Sequence, residues 1–283
     1  MLHSMKDLEG YEIGALDGIL GHVKDFYFDD EAWVIRYLVV ETGSWLSHRR
    51  VLVSPIAINA PNWSEKIFPA AITQEQVRNS PSIDTDKPVS RQHEMGYLDY
   101  YGYPHYWAGG DFWGDGMMLL GVKSDMTSGQ LPKSGADNLP AHVEEKAAGL
   151  MHRDPHLRSG NEIASYQVLA SDGDIGHIQQ LLVDEKGWAI RYLVVNTGNW
   201  WLGHDVLIAP QWVTGVRWDE RQVLVGLTRD AVKGSPPYLP GRQVERAEEA
   251  RIYDHYDRPG YWAREVQLEN PEIRTIPRYT PNP

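Results

Sequence analysis

Two stretches decide the fold: Trp33-Val34-Ile35-Arg36-Tyr37-Leu38-Val39-Val40 and, 155 residues further on, Trp188-Ala189-Ile190-Arg191-Tyr192-Leu193-Val194-Val195. Both are rich in β-branched and aromatic residues, the composition of a strand. In the first, Trp33, Ile35, Tyr37 and Val39 share one face, and Val34, Leu38 and Val40 share the other. A strand apolar on both faces is central to its sheet, or lies between an interior and a packing partner. Each stretch carries one charged residue, Arg36 or Arg191. An arginine in such a place needs a carboxylate or a surface for its stem. Asp25 is a candidate partner for Arg36, although the position equivalent to it in the second stretch holds Gln180.

Working outward, the same offset holds without a gap. Asp17-Gly18 and Gly21-His22 return as Asp172-Gly173 and Gly176-His177. Thr42-Gly43-Ser44-Trp45 returns as Thr197-Gly198-Asn199-Trp200, and Val51-Leu52-Val53-Ser54-Pro55 as Val206-Leu207-Ile208-Ala209-Pro210. Trp63, Thr73, Ser80-Pro81 and Tyr106-Trp107 are matched by Trp218, Thr228, Ser235-Pro236 and Tyr261-Trp262. One unit is therefore written twice. The reading is a first copy with its extension over 1–107, a Gly-rich flexible linker over 108–160, a second copy over 161–262, and a frayed Pro-containing tail over 263–283.

Within a copy, short strands alternate with turn signals, the pattern of a small all-β unit. Tyr11 to Ala15 and Leu20 to Phe28 flank the Asp17-Gly18 hairpin turn, and Val51 to Ser54 forms a later strand that Pro55 interrupts. A last hairpin is clearest as Trp212 to Arg217 with Gln222 to Gly226. A short helix then begins at an N-cap, Thr73 or Thr228. An aromatic extension closes each copy: Tyr97, Tyr100, Tyr101, Tyr103, Tyr106 and Trp107, then Tyr253, Tyr256, Tyr261 and Trp262. Rings laid over a thin core are physically sensible in a unit this small.

Composition narrows the function. The 283 residues hold 27 Lys+Arg against 39 Asp+Glu, a net charge of -12, which opposes nucleic acid or an anionic membrane as main partner. The chain has 0 cysteines, which removes disulfides, thiolate nucleophiles and Cys-ligated metals. No apolar leader and no run of about 18 apolar residues occurs, so the expected location is cytoplasmic, without direct membrane insertion. No phosphate-binding loop, Gly-x-Ser-x-Gly elbow or His-Glu-x-x-His pair is present. The expectation is a non-catalytic protein without metal or cofactor.

Asp17, Gly18, Gly21 and Val23, followed by Trp-x-Ile-Arg-Tyr-Leu-Val-Val and Val-Leu-Val-Ser-Pro, resemble the PRC-barrel domain in each copy. That domain occurs in the reaction-centre H subunit and at the C-terminus of the ribosome maturation factor RimM. The stretch Ile83 to Glu94 with the Tyr cluster after it is similar to uncharacterised tandem PRC-barrel proteins of bacteria. The resemblance implies a mainly β fold, two small PRC-type β-barrels in tandem, each with a short helix and an aromatic extension. It also implies work by protein–protein contact. Neither photosynthesis nor rRNA maturation is carried over, because the chain lacks the membrane helix of the one and the N-terminal domain of the other.

The expected partner-binding residues are Trp45, Trp200 and Trp201 in Gly-containing loops, with Tyr106, Trp107, Tyr261 and Trp262 in the extensions. His22 and His177 read as hairpin residues, because no further ligand appears at metal spacing. The function expected is an adaptor or assembly module with a protein partner, as a pseudo-symmetric monomer or a homodimer. The alternatives are a small-molecule or pigment binder using a cleft between the copies, and an acid–base enzyme with unrecognised carboxylates.

Overall fold

The computed structural model describes residues 1–81, 89, 91–106, 157–198 and 204–263. The first half contributes β1 (Leu2–Ser4), β2 (Glu12–Ala15), β3 (Gly18–Asp29), β4 (Val34–Thr42), β5 (Arg50–Val53) and β6 (Ile67–Pro69). The second contributes β7 (Leu157–Ser159), β8 (Gln167–Ala170), β9 (Gly173–Asp184), β10 (Ile190–Asn196) and β11 (Asp205–Ile208), then β12 (Val213–Arg217), β13 (Gln222–Val225) and β14 (Pro237–Tyr238). The chain is mainly β, in two sheets.

One sheet runs β5-β4-β3-β2-β6, and the other β12-β13-β8-β9-β10-β11-β14. The order β5-β4-β3-β2-β6 has its counterpart in β11-β10-β9-β8-β13, with β2–β6 and β8–β13 both parallel. The hairpin β12–β13 is reduced in the first half to the isolated bridges Ile58↔Ala70 and Asn62↔Ile67. Gly21 and Gly176 adopt φ values of +155° and +129°, and a Cβ on either would overlap a carbonyl of the adjacent strand, that of Glu41 or Asn196. Glycine is what allows the hairpins to lie this close to β4 and β10.

Two closed barrels were expected from the sequence, and among the described residues neither ladder closes. The cause is an exchange of strands. The edge of β3 opposite β4 pairs β2 only as far as His22, and β7 takes its far end: Tyr27↔Ser159, Phe28↔Arg158, Asp29↔Leu157. Reciprocally β1 pairs with β9: Leu2↔Asp184, His3↔Val183, Ser4↔Leu182. Leu157–Ser159 and Gly160, assigned by composition to the linker, thus belong to β7 and to the helix after it. They mirror Leu2–Ser4 and Met5, so the repeat begins earlier than its first Asp-Gly turn. The rest of that linker, and all of the tail beyond residue 263, lie outside the described residues.

The two halves meet on a pseudo-twofold axis at the bridge Val34↔Ala189, two equivalent positions of the repeat. Ile35 N donates to Trp188 O at 2.9 Å and Ile190 N to Trp33 O at 2.8 Å. Trp33 and Trp188 hold φ of 55° and 58°, a conformation that bulky residues avoid. It is maintained by the bonds on both sides and by burial, with 7% and 4% of each exposed. Trp188 lies 6.5 Å from Phe26 and 5.6 Å from Phe68, so one apolar core continues through both halves.

Helices Gln74–Asn79 and Arg229–Lys233 begin at Thr73 and Thr228, whose hydroxyls accept from Gln76 N and Ala231 N. The first N-cap is a complete capping box. Helices Arg91–Tyr101 and Arg246–His255 carry the aromatic extensions onto the sheets. Among the described residues no helix is long and apolar enough to cross a membrane.

Candidate functional site

The arginines of the central strands are structural. Asp29 closes the turn after β3, its Oδ1 accepting from Glu31 N at 3.0 Å and Ala32 N at 3.1 Å. Its Oδ2 then accepts from Arg36 Nη2 at 3.3 Å, with the arginine side chain 1% exposed. In the second half, Arg191 Nη2 donates to Asp184 Oδ2 at 3.2 Å. Asp25, the partner considered from the sequence, faces the other half instead. It accepts from Ser159 Oγ at 2.6 Å and Asn161 N at 3.1 Å, and Gln180 receives Ser4 Oγ in the equivalent place. Burial raises the Asp25 carboxyl above its ordinary range, against the donors that lower it.

Above each arginine lies a tyrosine of the extension. The Arg36 guanidinium sits 4.0 Å from the Tyr106 ring centre, and Arg191 sits 4.1 Å from that of Tyr261. Each tyrosine donates to a buried carboxylate: Tyr106 to Glu94 at 2.6 Å, Tyr261 to Glu249 at 2.8 Å. Glu249 also accepts from Tyr192 at 3.0 Å and pairs with Arg246 at 3.0 Å. Its carboxyl is raised, chiefly by burial, and the phenol of Tyr192 is pushed well upward for the same reason and by the carboxylate. This chain of charge and hydrogen bonds clamps each extension to its central strand. The signal was in the repeat, because Asp29 and Asp184, Glu94 and Glu249 keep the offset of the arginines.

The partner-binding residues expected from the sequence therefore separate. Tyr106 is 6% exposed and belongs to the core, because its ring covers Arg36 and its hydroxyl is held by Glu94. Tyr261 and Trp262 are half-buried, with Arg246 at 4.9 Å and 4.5 Å from their ring centres. Trp45 is half-buried in the loop after β4, where its Nε1 donates to Leu20 O at 2.8 Å and Arg78 lies 5.7 Å over its ring. Trp107, Trp200 and Trp201 lie outside the described residues. His22 and His177 stand exposed on β3 and β9. Among the described residues no three His, Asp or Glu side chains gather as a metal site.

The two clamps differ in their surroundings. Arg191 and Tyr261 border a cleft of ≈ 720 Å³ between the halves, walled by Trp33, Ile190, Trp218 and Tyr253, with Asp30 and Glu31 across from them. The repeat accounts for the opening. Buried Ile56 and Ile58 of the first half are replaced by exposed Gln211 and half-buried Val213, both lining the cleft.

A family profile of the PRC-barrel domain matches residues 3–67, spanning β1 to the start of β6. No curated protein matches the chain.

Proposed function

We propose that the chain is a cytoplasmic, non-catalytic interaction or assembly module made of two PRC-type units in tandem, with a protein as its partner. The observation that supports this is the PRC-barrel match over 3–67, a general module often found in interaction and assembly roles. The second unit rests on the matching strand order and the unbroken offset between the halves. The buried polar groups suit the same reading, since the carboxylates with raised pKa hold helices or the exchanged strands. Capture from native lysate with the full chain, using Trp45→Ala as control, tests it. One protein retained in stoichiometric amount by the wild type and lost by the variant is the expected result. Nothing retained by the wild type would sink the reading.

A second reading is favoured by the cleft, whose volume lies within the range of small-ligand sites and whose walls are aromatic. A non-covalent adduct of constant mass on the native chain, lost on Trp218→Ala, would establish it. A native mass equal to the sequence mass, for chain taken from its own cells, would dismiss it.

A further inference from the structure

The first half carries an apolar tip that the second half has replaced by polar residues. In the β2–β3 hairpin Leu16 is 72% and Ile19 45% exposed. Their equivalents in the second half are Ser171 and Asp174, both exposed. Apolar side chains of this size gain nothing from standing in water. The tip is also well fixed: Leu16 N donates to Ile72 O at 2.9 Å, and Gln74 spans it by bonds to Asp17 Oδ1 and Ile19 O at 2.8 Å and 2.9 Å. Trp45 adjoins it through Leu20 O, and Arg78 covers the outer face of that ring.

Around this tip the charge departs from that of the whole molecule. The loop after Trp45 brings His48, Arg49 and Arg50, and the helix beside it brings Arg78. Among the acids of these segments, Asp17 accepts the Gln74 amide and Glu41 pairs with Lys24 at 3.1 Å, beside Glu75. The matching segments of the second half hold Asp172, Asp174, Asp205 and Asp230 against His204, Arg229 and Lys233. A local basic rim acts over a Debye length of about 8 Å. It therefore attracts a short acidic segment, while an extended anionic bilayer meets the net charge of -12.

We infer that Leu16, Ile19 and Trp45, rimmed by His48, Arg49 and Arg78, form a docking surface for an acidic amphipathic segment of a partner protein. Leucine-type side chains of that segment cover the hairpin tip, and its carboxylates meet the arginines. The inference rests on the interaction-module reading and specifies one surface and one partner chemistry for it.

The test uses the full chain and three labelled 14-residue amphipathic peptides that share one leucine face and carry Glu, Gln or Lys on the other. Anisotropy should show the Glu peptide binding at least tenfold tighter than the Gln peptide, and the Lys peptide not at all. Leu16→Ser with Ile19→Asp, the residues the second half already tolerates, should weaken the Glu peptide at least tenfold with an unchanged melting curve. Arg78→Ala should lower Glu-peptide affinity and leave Gln-peptide affinity unaltered. Equal binding of all three peptides, or full binding by the double variant, overturns the inference. It is equally overturned if the double variant instead loses pelleting with phosphatidylglycerol vesicles or loses self-association in sedimentation. A lysate partner kept by both wild type and double variant would refute this surface and preserve the interaction module. No partner for the wild type would refute the module itself.

Discussion

At the scale of single residues, Arg36 shows how a charge can sit in a central strand. Its guanidinium is neutralised by Asp29, which is itself oriented by the turn it caps, and is covered by Tyr106. Arg36→Ala leaves Asp29 and Glu94 buried beside an apolar gap and should cost roughly 3–5 kcal/mol in urea unfolding. Arg191→Ala should cost less, because Arg191 and Asp184 are 13% and 17% exposed and water can take over part of the pairing. Asp25 supplies a test with pH. Its carboxyl is raised above an ordinary value near 3.8, chiefly by burial, so the folded state favours the proton. That contribution is complete below the unfolded value of about 3.9 and is lost as pH rises through the raised folded value. The stability difference between Asp25→Asn and wild type should therefore move in favour of the variant between about pH 4 and pH 7. Gln180, neutral at the equivalent position, shows that the site accepts an amide.

At the scale of elements, the exchanged strands are the feature that local reading could not supply. The hairpins, central strands and capped helices announce themselves through alternation, Asp-Gly turns and Thr N-caps. Three-residue strands carry too few side chains to show a period, and Leu157–Ser159 sits next to a stretch whose glycines suggest a linker. Only the ladder shows that each short strand completes the long strand of the opposite half. Deletion of residues 1–4 should abolish slow amide exchange over Leu181–Asp184, while Phe26–Phe28, paired with β4 and β7, keep theirs. Uniform loss of protection in both places would show that the exchange is not a separable element.

At the scale of the whole molecule, the dyad makes the two halves one folding unit despite the long stretch of chain between them. Each half lends a strand to the other, and their cores join through Trp188. A protease site inserted at residue 130 should therefore yield two fragments that still co-elute with the mass of the intact chain. Independent elution would mean that the exchanged strands hold nothing. Equivalence ends at the surface, where the copies have diverged in two places. Gln211 and Val213 open a cleft on one side, and Leu16 and Ile19 expose an apolar tip on the other.

The repeat, the central strands, the helix starts and the need of Arg36 and Arg191 for carboxylates were determined by the sequence itself, because periodicity, turn chemistry and desolvation act locally. Which carboxylate answers each arginine, and that Tyr106 lies inside while Trp45 borders the surface, depended on how the extension folds back over its strand. The open sheets, the swap of β1 and β7 and the cleft were decided by tertiary structure alone. They arise from the free edges of β3 and β9, which are completed by strands lying far away in the chain, at separations no local pattern can encode.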